Sequence, residues 1–435
     1  MHAGNEGAAV QSSHGRSYAI YMLILLLLAS TLSNADRHVL SVLLPSIKAE
    51  FGLSNSMLGL IAGPVFIVPY VLFTMPLARL ADRWSRRSVL AGAVFVWSVA
   101  SAACGMAAQT WHLMCARLVV GMGEAGGGPA SQSLVATLFT KRRNLAMGVL
   151  ASGIYCGIVV GLTGGAAIAE AAGWRMAFIA LALPGIPLAL LIWWTGPRRL
   201  RKVVTAAPAQ GKPAGVLAHC MRIRSLVLLA LGMGIFNIYG YGAATWMPSY
   251  FTLSHGMSMV EAGAWMGVGA ACGGVVGSIA SGVIVEALVP RHKSWQLRVP
   301  ALGLLLSWPL SLIVFSLPGG TALPIGGYPV PAVALLSVTT SFLSSLWMGP
   351  SYAALARLVP ADLRAQTIGL LGVVMNVMGS LLGPPIAGLV SDLLTERFGT
   401  ESLRYSLLTM SSLILVGGLM LWRAADHYGK EVVEV

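Results

Sequence analysis

Runs of 18 or more predominantly apolar residues recur along almost the whole of this 435-residue chain. A run of that length crosses a ~30 Å hydrocarbon core as a single helix, which rises about 1.5 Å per residue and satisfies its own backbone hydrogen bonds. The runs cover about 18–46, 57–80, 88–108, 111–139, 144–171, 174–196, 225–251, 258–288, 299–317, 329–356, 364–391 and 402–423. They predict twelve transmembrane helices and an all-α integral membrane protein. Composition agrees. The chain is 56% hydrophobic and 10% charged, with a mean hydropathy of +0.78, where a soluble domain carries roughly 25% charge.

The run after Arg16 is too long for a signal-peptide core and lacks a small-residue cleavage site, so it reads as the first span. Residues 1–17 read as a short cytoplasmic tail. The net charge of +13 invites a nucleic-acid partner, but its distribution excludes one. With the N-terminus inside, all but six of the 28 Lys and Arg residues fall on the inner side; Lys48, Arg175, Arg397 and Arg404 lie outside, and Arg37 and Arg117 lie within spans. That is the positive-inside pattern, and it predicts both termini in the cytoplasm. Short loops suit a bacterial inner membrane. The five cysteines are scattered and suggest neither a disulfide framework nor a metal site.

Residues 197–224 form the longest polar stretch, with seven basic residues and Pro208 and Pro213. They read as a cytoplasmic linker between helices at 18–196 and helices at 225–423, with a tail at 424–435. The halves echo each other: Leu134, Arg143, Gly148 and Leu150 recur 221 positions later as Leu355, Arg364, Gly369 and Leu371. Two pseudo-symmetric six-helix bundles are the expected architecture.

Charge inside the spans is the second constraint. Asp36 and Arg37 interrupt the first apolar run; Arg117 and Glu124 interrupt the fourth. A charge at the bilayer centre costs roughly 2.5–3.5 kcal/mol on insertion scales, so each such residue points to function. Together they suggest a path for a charged or protonatable cargo. Arg117 and Glu124 are seven residues apart, on one helix face and about 10 Å apart along the axis. The second half differs: no Asp, Glu, Lys or Arg occurs in 225–260, 299–356 or 365–391. Its polar or aromatic candidates are Asn237, Tyr239, Tyr241, Trp347, Tyr352 and Asn376. A charged wall and an apolar wall suit an amphipath with an anionic head. His38, beside Arg37, is a candidate for titration near neutral pH.

Several motifs carry a family resemblance. The loop after span 2 reads Ala78-Arg79-Leu80-Ala81-Asp82-Arg83-Trp84-Ser85-Arg86-Arg87. It resembles the major facilitator superfamily signature Gly-x-x-x-Asp-Arg-x-Gly-Arg-Arg, with Ala78 and Ser85 replacing two glycines. Arg117, Gly121 and Gly123 resemble that superfamily's fourth-helix motif. Gly153, Gly157, Gly161, Gly164 and Gly165 resemble its glycine-rich fifth-helix motif, with Leu162 where proline is usual; Gly379, Gly383 and Pro384 in span 11 match that pattern better. Asn34-Ala35-Asp36-Arg37 resembles the Asn-x-x-Asp-Arg of the spinster family with one spacer fewer, and Arg117–Ala125 and Leu138–Lys141 are also similar to that family.

The resemblance implies a secondary transporter working by alternating access, with spans 1, 4, 7 and 10 around its cavity. It also implies a lysolipid or sphingoid-phosphate class of cargo. On that reading Asp36 and Glu124 carry protons. Arg37 and Arg117 bind the anionic head or hold the carboxylates ionised, since arginine stays protonated and grips phosphate or carboxylate bidentately. Asn237, Tyr241 and Asn376 line the substrate path. Asp82, Arg83, Arg86, Arg87 and Arg143 gate it. The fifth-span glycines serve close helix packing. The expected partners are a small amphipathic substrate, protons and the bilayer, with a monomeric chain and no cofactor or metal. A drug or organic-anion antiporter, a sugar-acid symporter of the same fold, and a lipid-binding sensor without transport are the alternatives. The sequence lacks Gly-x-x-x-x-Gly-Lys-Ser/Thr, His-Glu-x-x-His and Gly-x-Ser-x-Gly, and so reads as neither ATP-driven nor enzymatic.

Overall fold

A computed structural model describes residues 15–139, 142–197, 220–360 and 363–432; the side chains of Arg16, Asp82, Arg143, Asn144, Tyr328, Arg364, Ala365, Gln366, Ile368 and Leu370 lie outside the description. Helix α1 spans Arg16–Phe51, α2 Asn55–Ala62, α3 Pro64–Arg83, α4 Arg86–Gly105, α5 Thr110–Glu124 and α6 Gly127–Leu138. Then come α7 (Arg143–Val159), continued by a π-turn at Val160–Gly164, α8 (Gly165–Ala172), α9 (Trp174–Ala182) and α10 (Gly185–Thr195). The later helices are α11 (Arg224–His255), α12 (Met259–Gly269), α13 (Ser278–Leu288), α14 (Trp295–Ser316), α15 (Ala332–Ser345), α16 (Met348–Leu358), α17 (Arg364–Phe398), α18 (Ser402–Met410) and α19 (Ser412–Glu431). Among the described residues, the exception to helix is a short antiparallel ribbon, β1 (Ala322–Ile325) with β2 (Tyr328–Pro331). It turns on Gly326 and Gly327 at φ 59° and 85°, a pair of positive values that glycine adopts without steric cost.

Among the described residues, ten helical stretches are long and apolar enough to cross a membrane. The expectation of twelve runs differs at two places. One continuous stretch, Leu371–Glu431, runs through both of the last two expected spans, because only the short 3₁₀ turn Gly399–Glu401 separates their helices. The expected fourth span breaks at Ala125 and Gly126 into helices of 15 and 12 residues, each short of a crossing by itself. On the helices, Leu72, Met75, Ile279, Val283 and Leu393 stand exposed. Water penalises that pattern and lipid does not.

Packing divides the chain into two compact units. One holds the described residues up to Leu40 together with those from Val68 to the end of α10; the other holds Ser41–Ile67 and the described residues from 220 onward. The sequence groups Ser41–Ile67 with the first half, yet these residues pack in the second unit. Glycine explains the close approach. A Cβ at Gly59 or Gly63 would collide with the carbonyl of Pro384 or Ser380, and one at Gly388 with the Asn55 carbonyl.

Asp392 then closes the end of α2. Its Oδ1 accepts from the Asn55 amide at 2.9 Å and its Oδ2 from the Ser56 amide at 2.7 Å. Those amides belong to the first turn of α2 and have no partner within the helix. Asn55 Nδ2 donates to Ser391 Oγ at 2.9 Å, and Lys48 Nζ donates to Asn55 Oδ1 at 2.6 Å. Loss of a capping acceptor costs about 1–2 kcal/mol. Asp392→Ala is therefore expected to speed amide hydrogen exchange in the first turn of α2 about 5–30-fold. Unchanged exchange in that turn would show that the carboxylate does not hold it.

Candidate functional site

The site is built inside the first unit, on α1, α3, α4 and α5. Helix α1 is oriented by a glycine ladder on the α7–α8 segment. A Cβ at Gly153 would lie 2.7 Å from the Ser30 Cβ; at Gly157, 2.5 Å from the Thr31 carbonyl oxygen; at Gly161, 2.5 Å from the Ala35 carbonyl oxygen; and at Gly165, 2.5 Å from Val39 Cγ2. Glycines four apart stand on one helix face, so this contact turns the 30–39 face of α1 onto them and leaves Asp36 and Arg37 directed elsewhere. The packing role expected for the fifth-span glycines is seen at these four and not at Gly164, where a Cβ would meet nothing within 4 Å. Gly161→Val is expected to cost about 1–3 kcal/mol by overpacking, read as a lower melting temperature of the purified protein. An unchanged melting temperature would show that α1 yields at this contact.

Helix α5 brings the second pair of charges. It ends at Glu124, and the chain turns at Ala125 and Gly126 before α6. The break nests on α4: a Cβ at Gly123 would stand 2.8 Å from the Trp97 amide nitrogen, and one at Gly127 3.1 Å from the Trp97 ring. Small residues at this corner let α5 approach closely enough for its acid to reach α1.

Four charges form two separate ion pairs. Arg117 Nη1 donates to Asp36 Oδ2 at 3.0 Å, and Ser101 Oγ on α4 donates to Asp36 Oδ1. Both oxygens of Asp36 are thus engaged, and the pair is sealed, with side-chain exposures of 1% for Arg117 and 7% for Asp36. The second pair joins Arg37 Nε to Glu124 Oε2 at 2.5 Å, with Ser33 Oγ donating to the same oxygen at 2.9 Å. Here Glu124 is fully buried, whereas the Arg37 side chain is 32% exposed. The Arg37 guanidinium also lies over the Tyr70 ring of α3, 4.8 Å from its centroid, a cation–π contact. Glu124 Oε1 is buried and accepts no hydrogen bond.

Asp36 and Arg37 are neighbours on α1, yet their partners lie two turns apart on α5. The length of the arginine side chains spans the difference. The expected gathering of these four charges is therefore seen, but as one closed pair and one half-open pair. His38, half-buried one residue further on, joins neither. Ser33, Ser101 and Tyr70 went unread in the sequence. Ser33 precedes Arg37 by one helical turn, which is a usable signal; Ser101 and Tyr70 carry none, since only tertiary packing brings α4 and α3 to α1.

The candidates in the second unit are used differently. Tyr241 Oη donates to Asn376 Oδ1 at 2.5 Å, and Asn376 Nδ2 donates to the Gly372 carbonyl at 2.8 Å. Asn237 Nδ2 donates to the Met233 carbonyl of its own helix at 2.8 Å. Nearby, Leu229, Met233, Trp347, Tyr352, Leu371 and Met375 line a small apolar cavity. Tyr239 is buried.

The loop from Asp82 to Arg87 closes the end of α3 and starts α4, whose first turn is capped by Ser85 Oγ accepting from the Ser88 amide at 3.3 Å. Arg87 Nη1 donates to the Gly196 carbonyl at 3.3 Å, just past the last turn of α10, where a cation complements the helix dipole. Arg86 Nη1 reaches Thr137 Oγ1 in the last turn of α6 at 3.4 Å. Arg83 is exposed. The side chains of Asp82 and Arg143 lie outside the described residues.

Residues 26–381 match the Major Facilitator Superfamily family model. An MFS-type efflux pump of Mycolicibacterium smegmatis is 29% identical over 97% of this chain and 96% of its own length. A probable sulfoacetate transporter of Cupriavidus necator is 27% identical over 88% of each chain. Among solved structures, a bacterial homologue of the human lysosomal transporter Spinster, inward-facing and unoccupied, superposes with a TM-score of 0.82 at 24% identity, covering 97% of this chain and 99% of that one.

Proposed function

Since the chain belongs to the Major Facilitator Superfamily, and is therefore a secondary transporter in a membrane, we propose that it couples proton movement to transport of an amphipathic anion of the lysolipid or sphingoid-phosphate kind. Twelve helices in two pseudo-symmetric six-helix bundles carry out alternating access, with both termini in the cytoplasm of a bacterial inner membrane and a monomer as the working unit.

The observation that carries the reading is the asymmetry of the two ion pairs. Both oxygens of Asp36 are engaged, so protonation there disrupts an existing hydrogen bond. Glu124 concentrates both of its bonds on Oε2 and leaves Oε1 without one. A proton can settle on Oε1 while the Ser33 contact persists. It removes the charge that holds Arg37 and so frees the partly exposed guanidinium for an anionic head. Glu124 is thus the principal proton carrier and Asp36 the secondary one; Arg37 is the principal head-group ligand, and Arg117 pairs with Asp36. Asn237, Tyr241 and Asn376 receive the less polar part of the cargo. Asp82, Arg83, Arg86, Arg87 and Arg143 make and break the inner gate.

A second reading, export of a drug or uptake of a short organic acid, is supported by the names of the efflux and sulfoacetate relatives. Counterflow in proteoliposomes separates the two. Labelled lysolipid or sphingoid phosphate is expected to exchange, and short tail-free anions are expected to compete poorly. Equal competition by sulfoacetate-like anions would sink the amphipath assignment while leaving the transporter intact.

A further inference from the structure

The ribbon β1–β2 joins α14 to α15 in the second unit. Residues 317–331 contain no Asp, Glu, Lys, Arg or His, and Pro318, Pro324, Pro329 and Pro331 are among them. Every residue of β1 is exposed, Leu323 by 43% and Ile325 by 49%. Leu323 pairs with Val330, so Leu323, Ile325 and Val330 share one face. An isolated two-stranded ribbon is at best marginally stable in water, and this one offers water little but apolar surface.

The edges of the ribbon are as informative as its face. The Ala332 amide donates to the Thr321 carbonyl at 2.9 Å. In an antiparallel ladder, bonded and non-bonded pairs alternate. With the observed register, Thr321–Ala332, Leu323–Val330 and Ile325–Tyr328 are the bonded pairs, and Ala322–Pro331 and Pro324–Pro329 turn their backbone groups outward. Pro324, Pro329 and Pro331 have no N–H, so Ala322 supplies the one outward donor of the ribbon. A strand of another protein adding to this edge needs such donors. A lipid interface instead penalises each amide left without a partner. The prolines defeat the first occupant and suit the second. The flanking helix continues the surface: Leu306 and Ile313 of α14, seven residues apart on one helix side, are exposed as lipid-facing residues are.

We propose that the ribbon is a membrane foot: Leu323, Ile325 and Val330 rest in the bilayer leaflet at that end of α14 and α15. On the topology proposed above this is the outer leaflet; the insertion itself does not depend on that assignment. The test uses the full-length protein in nanodiscs of phosphatidylcholine and phosphatidylglycerol. The exposed Cys115, Cys156 and Cys272 are replaced by serine, whereas Cys104 and Cys220 are buried and stay. A nitroxide is attached to Ile325→Cys or, as the aqueous reference, to Thr400→Cys in the exposed 3₁₀ turn Gly399–Glu401. The measured quantity is the ratio of collisions with oxygen, which concentrates in hydrocarbon, to collisions with a water-soluble nickel chelate. That ratio is expected to be higher at 325 than at 400 by about fivefold. Equal ratios overturn the proposal by placing the ribbon in water. Low collision rates with both reagents also overturn it, because protein then covers the face. Should Ile325→Cys fail to label, Leu323→Cys on the same face decides in the same way.

Discussion

Arg117→Met is expected to lose about 3–5 kcal/mol of stability, because it leaves the carboxylate of Asp36 buried without its cation. Arg117 is among the most deeply buried large side chains of the chain, and Ser101 cannot by itself replace a guanidinium. The partner change, Asp36→Asn, strands Arg117 and is expected to cost a similar amount. Pairing the changes is the informative step. Two charges removed from water are expensive even when paired, so Asp36→Asn/Arg117→Met is expected to recover most of the loss. Melting of the three variants in detergent checks this as a double-mutant cycle. Additive losses would show that the ion pair contributes nothing as a pair.

Glu124→Gln is expected to behave in the opposite manner, leaving the fold largely intact while uncoupling transport. Glutamine keeps an oxygen to accept from Arg37 and Ser33, and it mimics the protonated acid. Proton-driven uptake or efflux in proteoliposomes is expected to fall at least tenfold, whereas exchange of cargo without a gradient persists. The pH dependence of transport is expected to flatten, because the group that titrates is gone. Transport by Glu124→Gln that still follows the imposed pH gradient would falsify the proton role. Arg37→Ala separates the functions further: it is expected to weaken binding of anionic cargo and to leave a neutral amphipath bound as before.

The particulars of the site divide sharply by how far they could be read without coordinates. That Asp36, Arg37, Arg117 and Glu124 cluster follows from the cost of placing charge in lipid, which forbids leaving them apart. Which acid takes which arginine does not follow, because one face of α5 offers two heights and either arginine is long enough for both. The glycine spacing at 153, 157, 161 and 165 announces a close helix contact, and the contact is there. Its partner face on α1 is set by packing. Asn237 marks another limit. A polar residue in an apolar run looks like a ligand, and only the structure shows that its amide nitrogen is bonded to the backbone of its own helix. The attachment of Ser41–Ile67 to the second unit was illegible for a similar reason. It depends on Asp392 and Gly388, more than 300 positions from the residues they meet.

The sequence by itself determined the helical, membrane-spanning character of the chain and the presence of buried charge. Both follow from local rules, the length of apolar runs and the cost of an ion in hydrocarbon. Only the tertiary structure decided that the charge resolves into a sealed pair and a half-open pair. That distinction rests on which side chains from α3 and α4 reach α1, and on the orphaned oxygen of Glu124. Hydrogen-bond partners and exposure are properties of packed surfaces, and no single helix contains them.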